Sequence, residues 1–125
     1  MYNSHQTSPD KVHQGSTKLH LNLTNAVNLM LWADMQNGEP AVLWHIFRPQ
    51  DAEILCKFLI DDIGFRDAGD PIHSQMFYLT SEKLEHLRNL HNIRPYTIYQ
   101  HPGEAIYIPA GAAHQVCFPF FLLAL

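Results

Sequence analysis

The sequence predicts a mainly β domain that is interrupted by a helical insertion. Polar and apolar residues alternate early in the chain, two central stretches repeat their apolar residues at helical spacing, and short apolar runs return afterwards. Alternation with a period of two is typical of strands, whereas a period of three to four is typical of helices. The predicted order is strands, then helices over residues 49–93, then strands again. In a closed β-fold the two groups of strands can pair across the insertion.

The first strand follows a polar start. Residues 1–16 have no hydrophobic period, so we expect a loop or a disordered segment there. From Lys18 the chain alternates, and the alternation predicts a strand that carries His20 and Asn22 on one face. These two side chains should therefore project together.

Two more strands and a helix are predicted next. Residues 26–32 are almost continuously apolar, which is typical of a strand buried on both faces. Residues 42–47 form a third strand candidate. Pro49 is well suited to the first position of a helix, and Gly64 is expected to end that helix.

A second helix and a final group of strands complete the pattern. Thr80 is a good N-cap, and Pro95 prevents the helix from continuing. Residues 97–100 and 104–108 then read as two strands of a hairpin that turns at residues 101–103.

The bulk properties of the chain exclude several classes of protein. With 125 residues it holds one domain at most, and its formal net charge of -4 argues against direct nucleic-acid binding. Cys56 and Cys117 lie in apolar contexts and are expected to be buried free thiols in a reducing compartment. No signal peptide is visible, and the apolar run over residues 116–125 is too short to span a bilayer.

Two of the nine histidines stand out. His20 is one residue away from a second donor on the same strand face, and His114 follows a run of small residues that allows the backbone to turn tightly. A facial metal triad needs two histidines and a carboxylate, and here Asn22 takes the carboxylate position. The remaining histidines are expected to be surface, edge or turn residues: His5, His13, His45, His73, His86, His91 and His101.

Several ordered segments carry a resemblance to a known family. The chain resembles the JmjC domains of the histone H3 lysine-9 demethylase subgroup, which includes hairless-like and fungal JmjC proteins. The resemblance rests on residues 15–20, 25–30, 43–52 and 103–116, and its most specific part is the signature of residues 70–79. It covers almost the whole chain, so residues 17–125 are interpreted as a partial JmjC domain.

The resemblance implies a fold, a chemistry and a set of site residues. The fold is a double-stranded β-helix, a cupin-like jelly roll with a helical insertion, which we expect to be incomplete at both ends. The chemistry is Fe(II)- and 2-oxoglutarate-dependent oxidation of N-methyl groups on lysine. By position, His20, Asn22 and His114 would hold the iron and Thr17 would contact 2-oxoglutarate. The resemblance also implies a nuclear protein whose partner is the histone H3 tail or another chromatin protein.

Two departures from the family pattern leave alternatives open. Asn22 offers a neutral amide where the family has a carboxylate, so we expect weak iron binding and a dead or feeble enzyme. Missing strands would leave open edges and an exposed apolar face, which predicts poor solubility or dependence on a partner. The main alternative is therefore a non-enzymatic JmjC module that acts through protein contacts. A third class is a different cupin, such as a small-molecule hydroxylase or a sugar-binding protein, against which the signature of residues 70–79 argues.

Overall fold

The computed structural model describes residues 16–31 and 42–118. The predicted loop over residues 34–40, nearly all of the predicted loop over residues 1–16 and most of the apolar C-terminal run lie outside these ranges. The described residues form six strands and two α-helices, in the order β1 (Ser16–His20), β2 (Ala26–Leu29), β3 (Val42–Ile46), α1 (Ala52–Phe58), α2 (Ser81–His91), β4 (Tyr96–Gln100), β5 (Ala105–Ile108) and β6 (His114–Cys117).

The strands belong to two antiparallel sheets. One has four strands in the order β1-β6-β3-β4, and the other consists of β2 and β5. The first strand of the chain thus pairs with the last described one, across the whole insertion. Within the described residues the sheets do not close into a complete barrel. The predicted fold class, a mainly β jelly roll with a helical insertion, is confirmed.

The interior of the domain lies between the two sheets. Because paired residues of an antiparallel sheet point to the same side, the registers define one face of the four-stranded sheet that contains Trp44, Ile46, His114 and Val116. This face packs with the inward residues of β2 and β5 in one apolar cluster, whose buried members are Val42, Trp44, Ile46, Ile106, Ile108, Ala112 and Val116.

The opposite face of the four-stranded sheet carries the insertion. A second apolar cluster joins Leu19 of β1 to Leu55, Phe58, Leu59, Ile72, Leu79 and Leu87 of the helices and the loop between them. It also contains Phe47, Ile93 and Ala113, which lie next to the ends of β3, α2 and β6. The insertion therefore packs against the face of the sheet on which β1 and β6 pair with each other.

The ends of both helices follow from the residues found there. Pro49 opens a 3-10 turn that leads into α1, and a π-helical turn over Leu59–Ile63 ends at Gly64, whose φ of 99° is left-handed. The Thr80 hydroxyl accepts a hydrogen bond from the Lys83 N–H at 3.3 Å, as an N-cap does. The predicted helix start at Pro49, the stop at Gly64 and the cap at Thr80 are confirmed.

Two local predictions were wrong. The segments predicted to form a hairpin are β4 and β5, but β4 pairs with β3 and β5 pairs with β2. The turn between them carries the chain from one sheet to the other, and the Gly103 N–H donates to the Met30 carbonyl. Nor is β2 buried on both faces, since Val27 is 68% exposed and Leu29 is 53% exposed.

The two cysteines do not form a disulfide. Cys117 is buried, and Cys56 is half-buried beside Asp70. Burial, together with the charge and hydrogen bond of Asp70, raises the pKa of the Cys56 thiol to about 11. The predicted burial is thus confirmed for Cys117, whereas Cys56 is only partly buried. In the same described ranges, no helix combines the length and the apolar character needed to cross a membrane.

Candidate metal centre

The two histidines singled out in the sequence are neighbours in the structure. His20 at the end of β1 is the register partner of His114 at the start of β6. Their ring centroids lie 4.2 Å apart, and the ring planes are tilted by 57°. His114 is buried and His20 is half-buried, so the pair lies on the interior face of the sheet with access to solvent on one side.

Both rings are held in the same tautomer. Nδ1 of His20 lies 2.8 Å from the carbonyl oxygen of Lys18, and Nδ1 of His114 lies 2.9 Å from that of Ala112. A carbonyl oxygen only accepts hydrogen bonds, so each Nδ1 carries the proton and donates. Each Nε2 of the neutral ring therefore keeps its lone pair, which is the arrangement found in metal-binding histidines.

The surroundings of His114 favour its neutral imidazole. Burial lowers the pKa of His114, the hydrogen bond with the Ala112 carbonyl raises it, and the proximity of His20 lowers it further. The net direction is downward, so His114 remains unprotonated to a lower pH than a solvated histidine. A metal ion needs this unprotonated form.

The loop before His114 is hydrogen-bonded to the segment that follows β1. The Gly111 N–H donates to the backbone carbonyl of Asn22 at 2.8 Å, and the Ala110 N–H donates to Oδ1 of Asn25 at 2.7 Å. Gly111 has a φ of 78°, which the predicted tight turn requires. These bonds fix the backbone of Asn22 beside the segment that leads into His114. The Asn22 side chain is exposed.

A β-bulge determines where Thr17 points. Thr17 pairs with Val116 and His20 pairs with His114, so three steps along β1 match two steps along β6. Strict alternation would put Thr17 and His20 on opposite faces of the sheet. Because the bulge adds one residue between them, both lie on the same face. Thr17 is exposed on that face. Its predicted contact with a co-substrate is not tested by these facts.

The ligand set available here is neutral. Among the described residues, no group of three or more His, Cys, Asp or Glu side chains is arranged to hold a metal ion. The structure brings two imidazoles together, whereas Asn22 lies beyond the end of β1 with an exposed side chain, and not on the strand as predicted. Two imidazoles are donors that a facial metal site uses, and an amide stands where the sequence predicts the carboxylate of such a site.

The signature of residues 70–79 supports the strands that carry the histidine pair. Oδ1 of Asp70 accepts hydrogen bonds from the N–H groups of Ile72 and His73, which forms a tight turn. Further on, the Phe77 carbonyl accepts from the Leu19 N–H of β1. The backbone of Leu79 makes two hydrogen bonds with the Gln115 side chain of β6.

Comparison with known proteins decides the family. The model of the family described as "JmjC domain, hydroxylase" matches residues 1–121. The chain belongs to the JmjC domain family. Lysine-specific demethylase 3A-A of Xenopus laevis is 30% identical over 152 residues, which include 93% of this chain and 11% of the relative. Lysine-specific demethylase 3 of Drosophila melanogaster is 31% identical over 156 residues, with 93% of this chain and 18% of the relative.

A plant relative matches over a shorter stretch. Lysine-specific demethylase JMJ27 of Arabidopsis thaliana is 35% identical over 83 residues, which are 59% of this chain and 10% of the relative. This JmjC chain thus spans less than a fifth of the length of each of these relatives. The longer alignments exceed the 125 residues of the chain, so the two relatives concerned carry additional residues within the matched stretch.

Some residues of the site escaped the sequence interpretation. Trp44 stacks on His114 with ring centroids 6.0 Å apart, and the buried Gln100 accepts a hydrogen bond from the Trp44 indole. Asn25 anchors the loop before His114. The sequence signal for Gln100 is a polar residue at the end of a predicted strand, which by itself does not reveal its partners.

Proposed function

We propose that this JmjC domain is built around an Fe(II) and 2-oxoglutarate site that acts on N-methyl groups of lysine. The observation that carries the proposal is the His20–His114 pair, in which both Nδ1 atoms are engaged by backbone carbonyls and both Nε2 lone pairs are left for a metal. The proposed substrate is methylated lysine 9 of the histone H3 tail, and the proposed location is the nucleus. The net charge of -4 suits a basic histone tail.

Each residue has a distinct task in this proposal. His20 and His114 would bind the iron through Nε2, and the amide oxygen of Asn22 would take the third position. Thr17, on the same face as His20, would donate a hydrogen bond from its hydroxyl to 2-oxoglutarate. Iron and 2-oxoglutarate, when bound, would supply the oxidising chemistry, and the two sheets would shield the buried side of the site from bulk water.

Asn22 lowers the affinity of the proposed site. A carboxylate would bring one negative charge into direct contact with a divalent cation, whereas an amide brings only a dipole. Changes in the outer shell of a metal site already lower affinity by about 10–100-fold, and a lost charged ligand should have at least that effect. The native chain is therefore expected to be a weak iron binder and a poor catalyst.

The test is an anaerobic titration of the full chain with Fe(II) in the presence of 2-oxoglutarate, following the charge-transfer band of the chelate. We expect the band to be faint in the native chain and to appear at lower iron concentration in Asn22→Asp. His114→Ala in the Asn22→Asp background should abolish the band, and His86→Ala, which changes an exposed histidine of α2, should not. Variants that form the chelate are then assayed with methylated H3 peptides by mass spectrometry.

The outcomes separate an intact site from a lost one. A band in both chains would mean that the amide is an adequate ligand. A band only in Asn22→Asp would mean that the pocket is intact and that the amide of Asn22 alone prevents iron binding. The absence of a band from both chains, if they are folded by circular dichroism, would refute the proposed metal site.

The second candidate is a JmjC module that functions through protein contacts. Two observations favour it: the neutral third ligand and the apolar outer face of β2 and β5, where Val27, Leu29 and Tyr107 are all more than half exposed. A folded chain without a chelate band that binds an H3 peptide or another chromatin protein would support this candidate over the enzyme.

A further inference from the structure

A single buried side chain connects the two sheets behind the histidine pair. Gln100, at the end of β4, is 1% exposed. Its Nε2 donors lie 3.2 Å from both Oδ1 and the backbone oxygen of Asn28 in β2, and 3.0 Å from the carbonyl oxygen of Glu104. Its Oε1 accepts from the Trp44 indole N–H at 2.9 Å. Gln100 thus bonds to both sheets at once, with every polar atom engaged.

Trp44, which donates to Gln100, connects this glutamine to the candidate metal centre. Trp44 is buried in β3, and its ring stacks on the ring of His114 at 6.0 Å with an interplanar angle of 29°. The His114 ring also contacts the His20 ring, with centroids 4.2 Å apart. The His114 ring is therefore in contact with three groups: the Ala112 carbonyl through Nδ1, the His20 ring, and the ring of Trp44, whose indole N–H donates to Gln100.

We propose that Gln100 is a positioning residue for the metal centre, because it fixes the plane of Trp44 and, through Trp44, the plane of the His114 ring. The metal-binding part of this inference rests on the proposed function, whereas the effect on the His114 ring is a property of the metal-free protein. Side chains that orient a metal ligand change metal affinity by about 10–100-fold when they are replaced.

A purely structural role is the competing explanation, and the chain contains a matched control for it. Gln115 is also a fully buried glutamine, and it also bonds to a distant segment. Although it follows His114 directly, its side chain points to the opposite face of the sheet, towards His45 and Leu79. Gln100→Met and Gln115→Met each remove a buried amide of the same size, but only the first removes a partner of Trp44.

The first readout is the His114 ring in the metal-free full chain. Long-range proton–nitrogen spectra of the imidazoles at neutral pH, with His114 assigned from its loss in His114→Gln, report the stacking because the Trp44 ring current shifts the neighbouring protons. Gln100→Met should move the His114 ring resonances, and Gln115→Met should leave them in place. Gln100→Leu, which also removes the acceptor of the Trp44 indole N–H but leaves the tryptophan ring in place, should move them too and provides a second route if Gln100→Met does not fold.

The second readout is Co(II) affinity, measured in the Asn22→Asp background. Gln100→Met should weaken Co(II) binding by about 10–100-fold, and Gln115→Met by less than about threefold. Unmoved His114 resonances in folded Gln100→Met or Gln100→Leu, or equal effects of Gln100→Met and Gln115→Met, would overturn the inference. If no variant binds Co(II) but the resonances move as expected, the positioning role stands and the proposed metal function alone fails.

Discussion

Gln115 is expected to hold the helical insertion on the sheet, and its replacement gives a direct test of the fold. The side chain is fully buried in β6. Its Oε1 accepts from the Leu79 N–H at 2.8 Å, and its Nε2 donates to the Leu79 carbonyl at 2.8 Å and lies 3.1 Å from Nδ1 of His45. One glutamine therefore satisfies both backbone groups of a residue in the insertion.

The expected effect of Gln115→Met follows from these partners. Methionine has a similar length but leaves the N–H and the carbonyl of Leu79 without partners in a buried site. An unsatisfied buried group costs about 1–3 kcal/mol, and the better burial of methionine offsets part of the total. We expect the free energy of unfolding to fall by about 3 kcal/mol, and Tm by about 10 °C for a chain of this size.

Urea denaturation followed by circular dichroism measures this effect. Gln50→Met is the control, because Gln50 is exposed at the start of the insertion and its change should alter stability by less than about 0.5 kcal/mol. A loss below about 1 kcal/mol for Gln115→Met, or equal losses for both variants, would refute the idea that this amide anchors the insertion.

Three further predictions concern the insertion. Thr80→Ala removes the cap of α2 and should lower the free energy of unfolding by about 1 kcal/mol in the same urea assay. Thr80→Ser keeps a hydroxyl that can accept the capping hydrogen bond and should therefore retain most of the native stability. Cys56, with a pKa of about 11, should react slowly with iodoacetamide at pH 8, and Asp70→Asn should accelerate the reaction by removing a neighbouring charge; equal rates would contradict this. For Asp70, burial raises the pKa, but hydrogen bonds from His73, Cys56 and Ile72 outweigh burial and lower the pKa below 3.8. The ionised Asp70 therefore stabilises the fold above pH 3.8, and this stabilisation is lost as the pH falls through the lower pKa of the folded state. The urea midpoint of Asp70→Asn should fall less between pH 5 and pH 3 than that of the native chain.

The sequence predicted the features that depend on the residues at single positions or on the pairing of the first and last groups of strands. The helix boundaries at Pro49, Gly64 and Thr80 follow from backbone chemistry at single positions. The pairing of His20 with His114 was predictable because both lie on strands of the two groups that a closed β-fold brings together. In each case the information lies in a few neighbouring residues or in one long-range pairing.

Features that depend on which sheet a strand joins were beyond the sequence pattern. The turn at residues 101–103 has the composition of a hairpin, yet its two strands enter different sheets, because sheet membership is decided by distant partners. The bulge that turns Thr17 towards the His20 face likewise leaves no mark on the apolar period. The bonds of Gln100 join three separate elements, so no short window of sequence contains them.

The scaffold of the metal centre is independent of the residue at position 22. The His20 and His114 rings are oriented by carbonyls of their own chain segments and by Trp44, and only the backbone of Asn22 takes part, through Gly111. Replacing a carboxylate by an amide at this position leaves all of those contacts in place. On the proposed function, Asn22→Asp should therefore raise metal affinity with little change in stability.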